Sequence, residues 1–221
     1  MFILTSHNKI DKLDKQTGWY LPEVAHPYHV WKTNNIKIDF VSPQGGKTPI
    51  DEGSIKAFEK DAICTEFLAD KEAEEGYTNT RTIAQVNLSD YAAVFFPGGH
   101  GPMYDLAEQQ EIGAKVGQYF EKGGLVAAVC HGPAGLVPVK LSSGESIVKG
   151  KKVTSFSNKE EDAVGLSPAM PFMLESKLKE LGGEFSAAEL WQAHVVVDGR
   201  LVTGQNPASS SQLAQEVLKL V

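Results

Sequence analysis

The chain has 221 residues, a length that suits one α/β domain or two small ones. Its formal net charge of −7 argues against a nucleic-acid partner, because proteins that bind nucleic acids carry basic patches. No apolar stretch is long enough to cross a bilayer, and the opening MFILTSHNKI lacks the basic start and cleavage site of a secretory signal, so we expect no membrane partner.

Short β-rich runs alternate with helical patterns along most of the chain. Continuous apolar runs that end at glycine or proline predict strands covered on both faces, as in a parallel sheet. The predicted strands cover residues 2–5, 36–43, 92–99 and 124–130.

The segments between these strands predict helices. The first begins with Pro22, a residue that is favoured at the first helical position. Apolar residues at helical spacing predict a second helix over residues 61–76 that stops at Gly76, and a third over 110–124.

The end of the chain predicts a hairpin and then a helix. Residues 194–204 are interrupted by Asp198-Gly199, a pair typical of a hairpin turn, and Asn206 and Pro207 suit the N-cap and first position of a closing helix. This alternation predicts an α/β fold with a doubly wound, mainly parallel sheet sandwiched by helices, as in flavodoxin-like proteins. Since there is no repeat or linker, we expect residues 1–221 to form a single domain.

The strongest candidate for chemistry lies in residues 123–136, GGLVAAVCHGPAGL. If the strand ends at Val129 and a helix begins near Gly132, Cys130 lies on a sharp turn that resembles the nucleophile elbow of hydrolases. Such a turn would expose the side chain and place the sulfur near the positive end of a helix, which favours the thiolate. The alternative is a buried apolar cysteine. Cys64, in the middle of a predicted helix, is predicted to pack in the core.

The number and spacing of the cysteines and histidines indicate the cellular compartment and whether a metal or cofactor is expected. Two cysteines in a chain of this length predict reduced thiols in the cytoplasm rather than a disulfide-linked fold. With scattered histidines, no Cys-x-x-Cys pair and no phosphate-binding loop, we expect neither a metal nor a cofactor.

Histidine and glycine residues at two strand ends add to the candidate site. His131 is a poor core residue at such a turn but a useful acid or base. The glycines of FFPGGHG let backbone N–H groups approach a ligand, so the N–H groups of Gly99 and His131 are candidates for an oxyanion hole. His100 is a further candidate for substrate binding. The alternative is a simple tight loop in which His100 is incidental.

Three motifs together resemble a known family. AVCHGP after an apolar strand, FPGGHGPMYDL one strand earlier and DGRLVTGQNPASS near the end resemble the ThiJ/PfpI superfamily, whose fold is that of class I glutamine amidotransferases. The resemblance covers essentially the whole chain. The segments TGWYLPEVAHPY and VTSFSNKEEDAVGL place it closer to the branch of glutathione-independent glyoxalase III and heat-shock chaperones.

The resemblance implies roles for four residues. Cys130 would be the nucleophile, and Glu23 would lie against its sulfur with a protonated carboxyl that donates a hydrogen bond and shuttles protons. His131 would pair with an acid from SNKEED, and the spacing from the strand favours Glu161. Glutamine amidotransferases complete their site with a late His-x-Glu, but Val196 stands at that place here, so glutamine hydrolysis is not expected.

Two of these assignments have structural alternatives. Glu23 is also suited to the first turn of a helix, where an acid stabilises the helix dipole. Glu161 lies three residues after Asn158, close to the spacing of a capping box, so it could cap its own helix. Glu160 or Asp162 would then be the partner of the histidine.

The resemblance implies a glyoxalase III reaction. The Cys130 thiolate would attack a small 2-oxoaldehyde such as methylglyoxal, and a 2-hydroxy acid would be released without glutathione, metal or cofactor. The alternatives are a protein or nucleotide deglycase, a cysteine peptidase and a stress-related holdase chaperone. Trp19, Tyr20 and Trp31 could roof the site and exclude polymers. Homodimers are common in the superfamily, so we expect a homodimer.

Overall fold

The computed structural model describes residues 1–221 and is built around a six-stranded sheet. The strands are β1 (Phe2–Ile3), β2 (Phe40–Val41), β3 (Ala93–Phe96), β4 (Leu125–Val129), β5 (Val195–Asp198) and β6 (Leu201–Gly204). Their spatial order is β2-β1-β3-β4-β6-β5, and every neighbouring pair is parallel except the edge strand β5 with β6.

Helices cover both faces of this sheet. They are α1 (Leu21–Thr33), α2 (Glu52–Ala57), α3 (Ala62–Ala69), α4 (Lys71–Thr78), α5 (Gln110–Glu121), α6 (Asn158–Ala163), α7 (Leu174–Glu180) and α8 (Ser210–Leu218). Helices α1, α3 and α8 pack together over one face, and α5 and α7 contribute to the core on the other. The predicted doubly wound, mainly parallel sheet is therefore confirmed. None of the helices has the combined length and apolar character that a membrane crossing needs.

The position of β4 between two apolar cores explains why its sequence is apolar throughout. Leu125, Ala127 and Val129 belong to one apolar core, and Val126 and Ala128 belong to the other. Successive side chains of a strand point to opposite faces, so a strand covered on both sides needs apolar residues at every position.

The helix predicted over residues 61–76 is wrong in two respects. The chain breaks at Asp70, which has an extended backbone and caps α4 by accepting the N–H of Glu72, so two helices replace one. Gly76 does not end α4, because it packs against the ring of Phe40, where a Cβ atom would lie only 2.5 Å from a ring carbon. The glycine serves a close contact rather than a helix end.

Three predicted boundaries shift. The strand predicted over 36–43 shortens to β2, because it pairs with the two residues of β1 and has only an isolated bridge, from Val41 to Arg81, on its other side. The hairpin turn falls one residue later than predicted, since Asp198 pairs directly with Leu201. Pro207 begins a short 3₁₀ turn, and α8 follows it from Ser210.

Candidate active site

The sharp turn predicted at the carboxyl end of β4 is present. Cys130 has a φ of 58°, in the left-handed region that residues with a side chain seldom adopt. Its backbone is fixed on both sides: its N–H donates to the carbonyl of Gly204 at 2.9 Å, and its carbonyl accepts from Phe156 at 2.8 Å. A conformation that costs about 1–3 kcal/mol is thus held by neighbours, as is common at functional sites.

The expected exposed thiolate at a helix terminus is wrong. The segment after the turn is a 3₁₀ helix over Gly132–Leu136 and not an α-helix, so no long helix dipole faces the sulfur. Cys130 is only 4% exposed. Burial, and then the neighbouring Glu23 carboxylate, raise the pKa of its thiol, while the backbone N–H of His131 opposes the shift. A neighbouring group must therefore take the thiol proton.

Glu23 reaches the sulfur from the first turn of α1. One carboxyl oxygen, Oε2, accepts the backbone N–H of Gly98 at 2.7 Å, and the other, Oε1, is buried without a partner in the chain. Burial raises the pKa of Glu23 to about 8, although the neighbouring Cys130 thiol and the Gly98 N–H oppose the shift. The carboxyl is therefore mainly protonated at neutral pH. Its alternative role as an ionised first-turn acid does not fit a fully buried side chain.

Gly98 makes this approach possible. A Cβ atom at this position would lie 2.7 Å from Glu23 Oε2 and 2.6 Å from the backbone nitrogen of His131. Any larger residue would push the carboxyl away from the turn.

His131 joins the sulfur to an acid. Its Nδ1 lies 3.4 Å from Cys130 Sγ, and its Nε2 lies 2.5 Å from Glu161 Oε2. The other carboxyl oxygen of Glu161 pairs with His100 Nε2 at 2.9 Å, and the two imidazole rings are 4.2 Å apart. The structure thus brings all four residues that the family resemblance singled out into one connected network, and it joins His100, the further candidate from the sequence, to them.

The pKa values of the groups in this network depend on burial and on the neighbouring charges. Burial and the adjacent His100 lower the pKa of His131, while the Glu161 carboxylate opposes them. Burial raises the pKa of Glu161, but the His131 and His100 rings outweigh it and hold that pKa below its usual range. The ionised carboxylate fixes the imidazole proton of His131 on Nε2, which leaves Nδ1 free to accept the thiol proton.

The helix cap that was the alternative role of Glu161 belongs to its neighbour. Ser157 is the N-cap of α6, and Glu160 completes the capping box by accepting the Ser157 N–H at 3.0 Å. Asp162 accepts the hydroxyl of Ser167. Of the three acids, Glu161 is the one that faces the histidine.

Two backbone N–H groups point to an oxyanion site. Neither the N–H of Gly99 nor that of His131 donates to a backbone carbonyl, and both residues line the same cavity as Cys130. N–H groups that lie beside a nucleophile and have no backbone carbonyl partner are suited to bind a developing negative charge on oxygen.

A cavity of about 320 Å³ lies over the sulfur. Its apolar walls are formed by Tyr20, Phe58, Phe156, Val164 and Trp191. No sequence pattern indicates that Phe58, Phe156 or Trp191 belongs to the site, because they come from separate loops that follow no periodic pattern.

The prediction that Trp19, Tyr20 and Trp31 roof the site is mostly wrong. Trp19 and Trp31 are buried in the core, where their indole N–H groups donate to Thr48 and to the carbonyl of Ala214. Only Tyr20 of the three lines the cavity.

The paired side chains also form a donor set for a cation. Ligand atoms of His100, His131 and Glu161 all lie within 4.8 Å of one another. Two imidazoles and one carboxylate suit a divalent metal, but in this arrangement the three groups satisfy each other by hydrogen bonds.

A larger cleft of about 490 Å³ lies at the amino ends of the strands, next to Phe2, Trp31 and Phe95. It contains no cysteine or histidine, so it offers none of the chemistry found at the other edge.

A doubly wound sheet with a cysteine on a left-handed turn at a strand end, beside a buried glutamate and a histidine, defines the ThiJ/PfpI class of α/β proteins. Within this class the chain belongs to the DJ-1/PfpI family, whose profile matches residues 18–220. The resemblance inferred from the motifs is confirmed.

Individual relatives narrow the comparison. The chain is 31% identical to glutathione-independent glyoxalase HSP31 of Saccharomyces cerevisiae, over 97% of this chain and 94% of that protein. It superposes with a TM-score of 0.94 on Rapid Encystment Protein 24 kDa of Francisella tularensis, at 38% identity over 99% of this chain and 96% of the other. The TM-score with glyoxalase III of Candida albicans is 0.90, at 28% identity over 99% and 95% of the two chains.

Proposed function

We propose that this protein is a glutathione-independent glyoxalase that converts methylglyoxal or a related 2-oxoaldehyde to the 2-hydroxy acid. The observation that carries the proposal is the position of Cys130 Sγ in a largely apolar cavity, 3.4 Å from His131 Nδ1 and beside the Glu23 carboxyl. The names of the relatives from Saccharomyces and Candida support the same reaction.

The first step forms a carbon–sulfur bond. His131 Nδ1 takes the thiol proton, and the sulfur attacks the aldehyde carbon of the substrate. The N–H groups of Gly99 and His131 bind the oxygen as it becomes negative. His131 then returns the proton to this oxygen, which gives a neutral hemithioacetal and a neutral imidazole.

The second step moves a hydrogen between two carbons. His131 removes the proton from C1, while Glu23, which is protonated, donates its proton to the C2 oxygen, and this gives the enediol. The imidazolium of His131 then returns its proton to C2, and the Glu23 carboxylate takes the proton of the C1 hydroxyl group. C1 is then a thioester of Cys130, and C2 carries a hydrogen and a hydroxyl group.

The third step releases the product. Water adds to the thioester carbon, the carbon–sulfur bond breaks, and the thiolate regains a proton. The net change is the addition of one water to the oxoaldehyde, so the chemistry balances with groups of the chain alone.

The burial of Cys130 in this cavity argues against a peptidase but not against a deglycase. A peptidase must admit an extended chain to its nucleophile, whereas Cys130 is 4% exposed below aromatic walls. A deglycase would use the same thiol and cavity, so it is a variation of the same proposal.

Compartment and assembly belong to the proposal as well. Both cysteines are free, and a reaction that depends on a thiol suits the reducing cytoplasm. We also infer a homodimer from the family resemblance, and light scattering coupled to size-exclusion chromatography tests it.

An NMR time course tests the activity. Methylglyoxal is incubated with micromolar protein, without glutathione and with EDTA, and the lactate signals are followed. We expect lactate to accumulate, and we expect only the background rate from a Cys130→Ala variant. Unchanged methylglyoxal, or equal rates from the two proteins, would overturn the proposal.

A further inference from the structure

A second cluster of polar side chains lies outside the active-site cavity, where α1, α3 and α8 meet. His26 of α1, Asp61 at the N-cap of α3, and Cys64 of α3 bring one nitrogen, one oxygen and one sulfur within 4.8 Å of one another. Cys64 is fully buried, whereas the side chains of His26 and Asp61 are 21% and 26% exposed. The cluster thus has a closed sulfur side and a side open to solvent.

The donor set matches that of a tetrahedral metal, and so does the distance between its nitrogen and its oxygen. Imidazole, carboxylate and thiolate are the ligands that zinc-like cations use in proteins. Two ligand atoms bound to such an ion at a tetrahedral angle lie roughly 3.3 Å apart. His26 Nε2 and Asp61 Oδ2 are already 3.1 Å apart.

The surrounding contacts orient these ligands. Ser211 of α8 lies 2.9 Å from His26 Nδ1, so the other ring nitrogen, Nε2, is turned towards the carboxylate. The Cys64 N–H donates to Asp61 Oδ1 at 2.9 Å, which leaves Oδ2 for the histidine. A hydrogen bond to the second nitrogen of a histidine ligand is the usual companion of a metal site.

We propose that His26, Asp61 and Cys64 form a binding site for one thiophilic divalent cation of the zinc class, with water as the fourth ligand. The metal–sulfur bond replaces the S–H bond of Cys64, and the released proton goes to solvent. The ion joins α1 to α3, so it stabilises the folded protein as any ligand of the native state does.

A cobalt titration tests the site directly. In a Cys130→Ser background Cys64 is the only thiol of the chain, so a thiolate-to-cobalt charge-transfer band in the near ultraviolet reports Cys64 alone. We expect this band to saturate at one cobalt ion per chain, with a raised melting temperature. Adding Cys64→Ala abolishes it, and adding Ser211→Ala weakens binding by roughly 10–100-fold because the histidine loses its orienting partner.

The matched control separates this cluster from the active site. Glu161→Gln, made in the same background, removes a ligand of the His100–His131–Glu161 set and should keep the band. Should the Cys64 variant fail to fold, His26→Gln decides in its place, with circular dichroism as the check on folding. The absence of a band from the folded Cys130→Ser protein, or a band unchanged by His26→Gln, would overturn the site. Neither result depends on glyoxalase activity.

Discussion

The Nδ1 atom of His131 lies 3.4 Å from the sulfur of Cys130, although the two residues are consecutive. In a regular strand, neighbouring side chains point to opposite faces of the sheet. The left-handed backbone of Cys130 breaks this alternation and turns both side chains into the same cavity. A base and a nucleophile from adjacent positions can therefore exchange a proton.

The first prediction concerns proton transfer by Glu23. Glu23→Gln keeps an oxygen that can accept the Gly98 N–H and a donor that can face the sulfur, but the amide cannot transfer a proton. We expect hemithioacetal formation to persist and kcat for methylglyoxal to fall by roughly two to four decades. Steady-state kinetics, with melting temperatures as the control for folding, measure this. A variant with the kcat of the wild type would leave the proton transfers to His131 alone.

The second prediction is a dependence of stability on pH that Glu23 causes. Burial raises the pKa of Glu23 from the ordinary 4.5 to about 8 in the folded protein. Between these two values the unfolded chain releases the proton and the folded protein keeps it, so the free energy of unfolding falls as pH rises through this window. Below pH 4.5 both states are protonated, so Glu23 no longer makes the free energy of unfolding change with pH.

Urea unfolding of the wild type and of Glu23→Gln, near pH 5 and near pH 8, measures this dependence. The other titrating groups cancel in the difference between the two proteins. We expect the variant to gain stability relative to the wild type at the higher pH. The same difference at both pH values would mean that Glu23 is ionised in the folded protein.

The third prediction concerns Glu161 as the positioning partner of His131. Glu161→Gln removes the carboxylate that holds the pKa of His131 up against burial, so that pKa should fall further. We expect kcat to decrease less than in Glu23→Gln, and we expect the acidic limb of the pH–rate profile to move to lower pH. Glu160→Gln is the matched control. It disturbs the capping box of α6 and should lower the melting temperature, and it should move that limb much less than Glu161→Gln does, because Glu160 has the smallest of the influences that raise the pKa of His131. An unmoved limb in Glu161→Gln would contradict the role.

The sequence predicted the parts of the site that depend on strand ends. The apolar run before Cys130 locates the end of β4, and FFPGGHG locates the end of β3, because parallel strands deliver their carboxyl ends to one edge. Glu23 came only from the family resemblance. Within that resemblance, the spacing from the strand favoured Glu161 as the partner of His131, while the spacing from Asn158 left a capping box as the alternative. The true capping residue is Glu160, one residue away.

The errors share a physical cause, which is tertiary contact between distant segments. Burial of Cys130 depends on walls from loops that are far away in sequence, so a local pattern predicted an exposed thiol instead. Trp19 and Trp31 lie near a functional motif, but their indole rings fill the core. The ring of Phe40 packs directly against Gly76, where there is no room for a side chain, and a local sequence pattern does not predict this contact.

The last prediction concerns the size of the substrate. Trp191 has a φ of 64° and is 47% exposed at the cavity wall, where its ring lies 5.9 Å from that of Phe156. Its backbone N–H donates to Glu160 at 3.1 Å, which holds this uncommon conformation. A cavity of about 320 Å³ leaves room beyond methylglyoxal, so the ring is placed to contact the substituent of a larger 2-oxoaldehyde.

Trp191→Gly removes this contact and suits the left-handed backbone, so the fold should be kept. We expect the KM for phenylglyoxal to rise roughly tenfold, as the loss of about 1.4 kcal/mol of apolar contact implies, with a smaller change for methylglyoxal and little change in kcat. Trp191→Asn is the matched control, because asparagine also tolerates this backbone while it restrains the chain more than glycine does. If the KM for phenylglyoxal stayed at the wild-type value in both variants, the contact would be contradicted. If it rose only in the glycine variant, the effect would be due to loop flexibility instead.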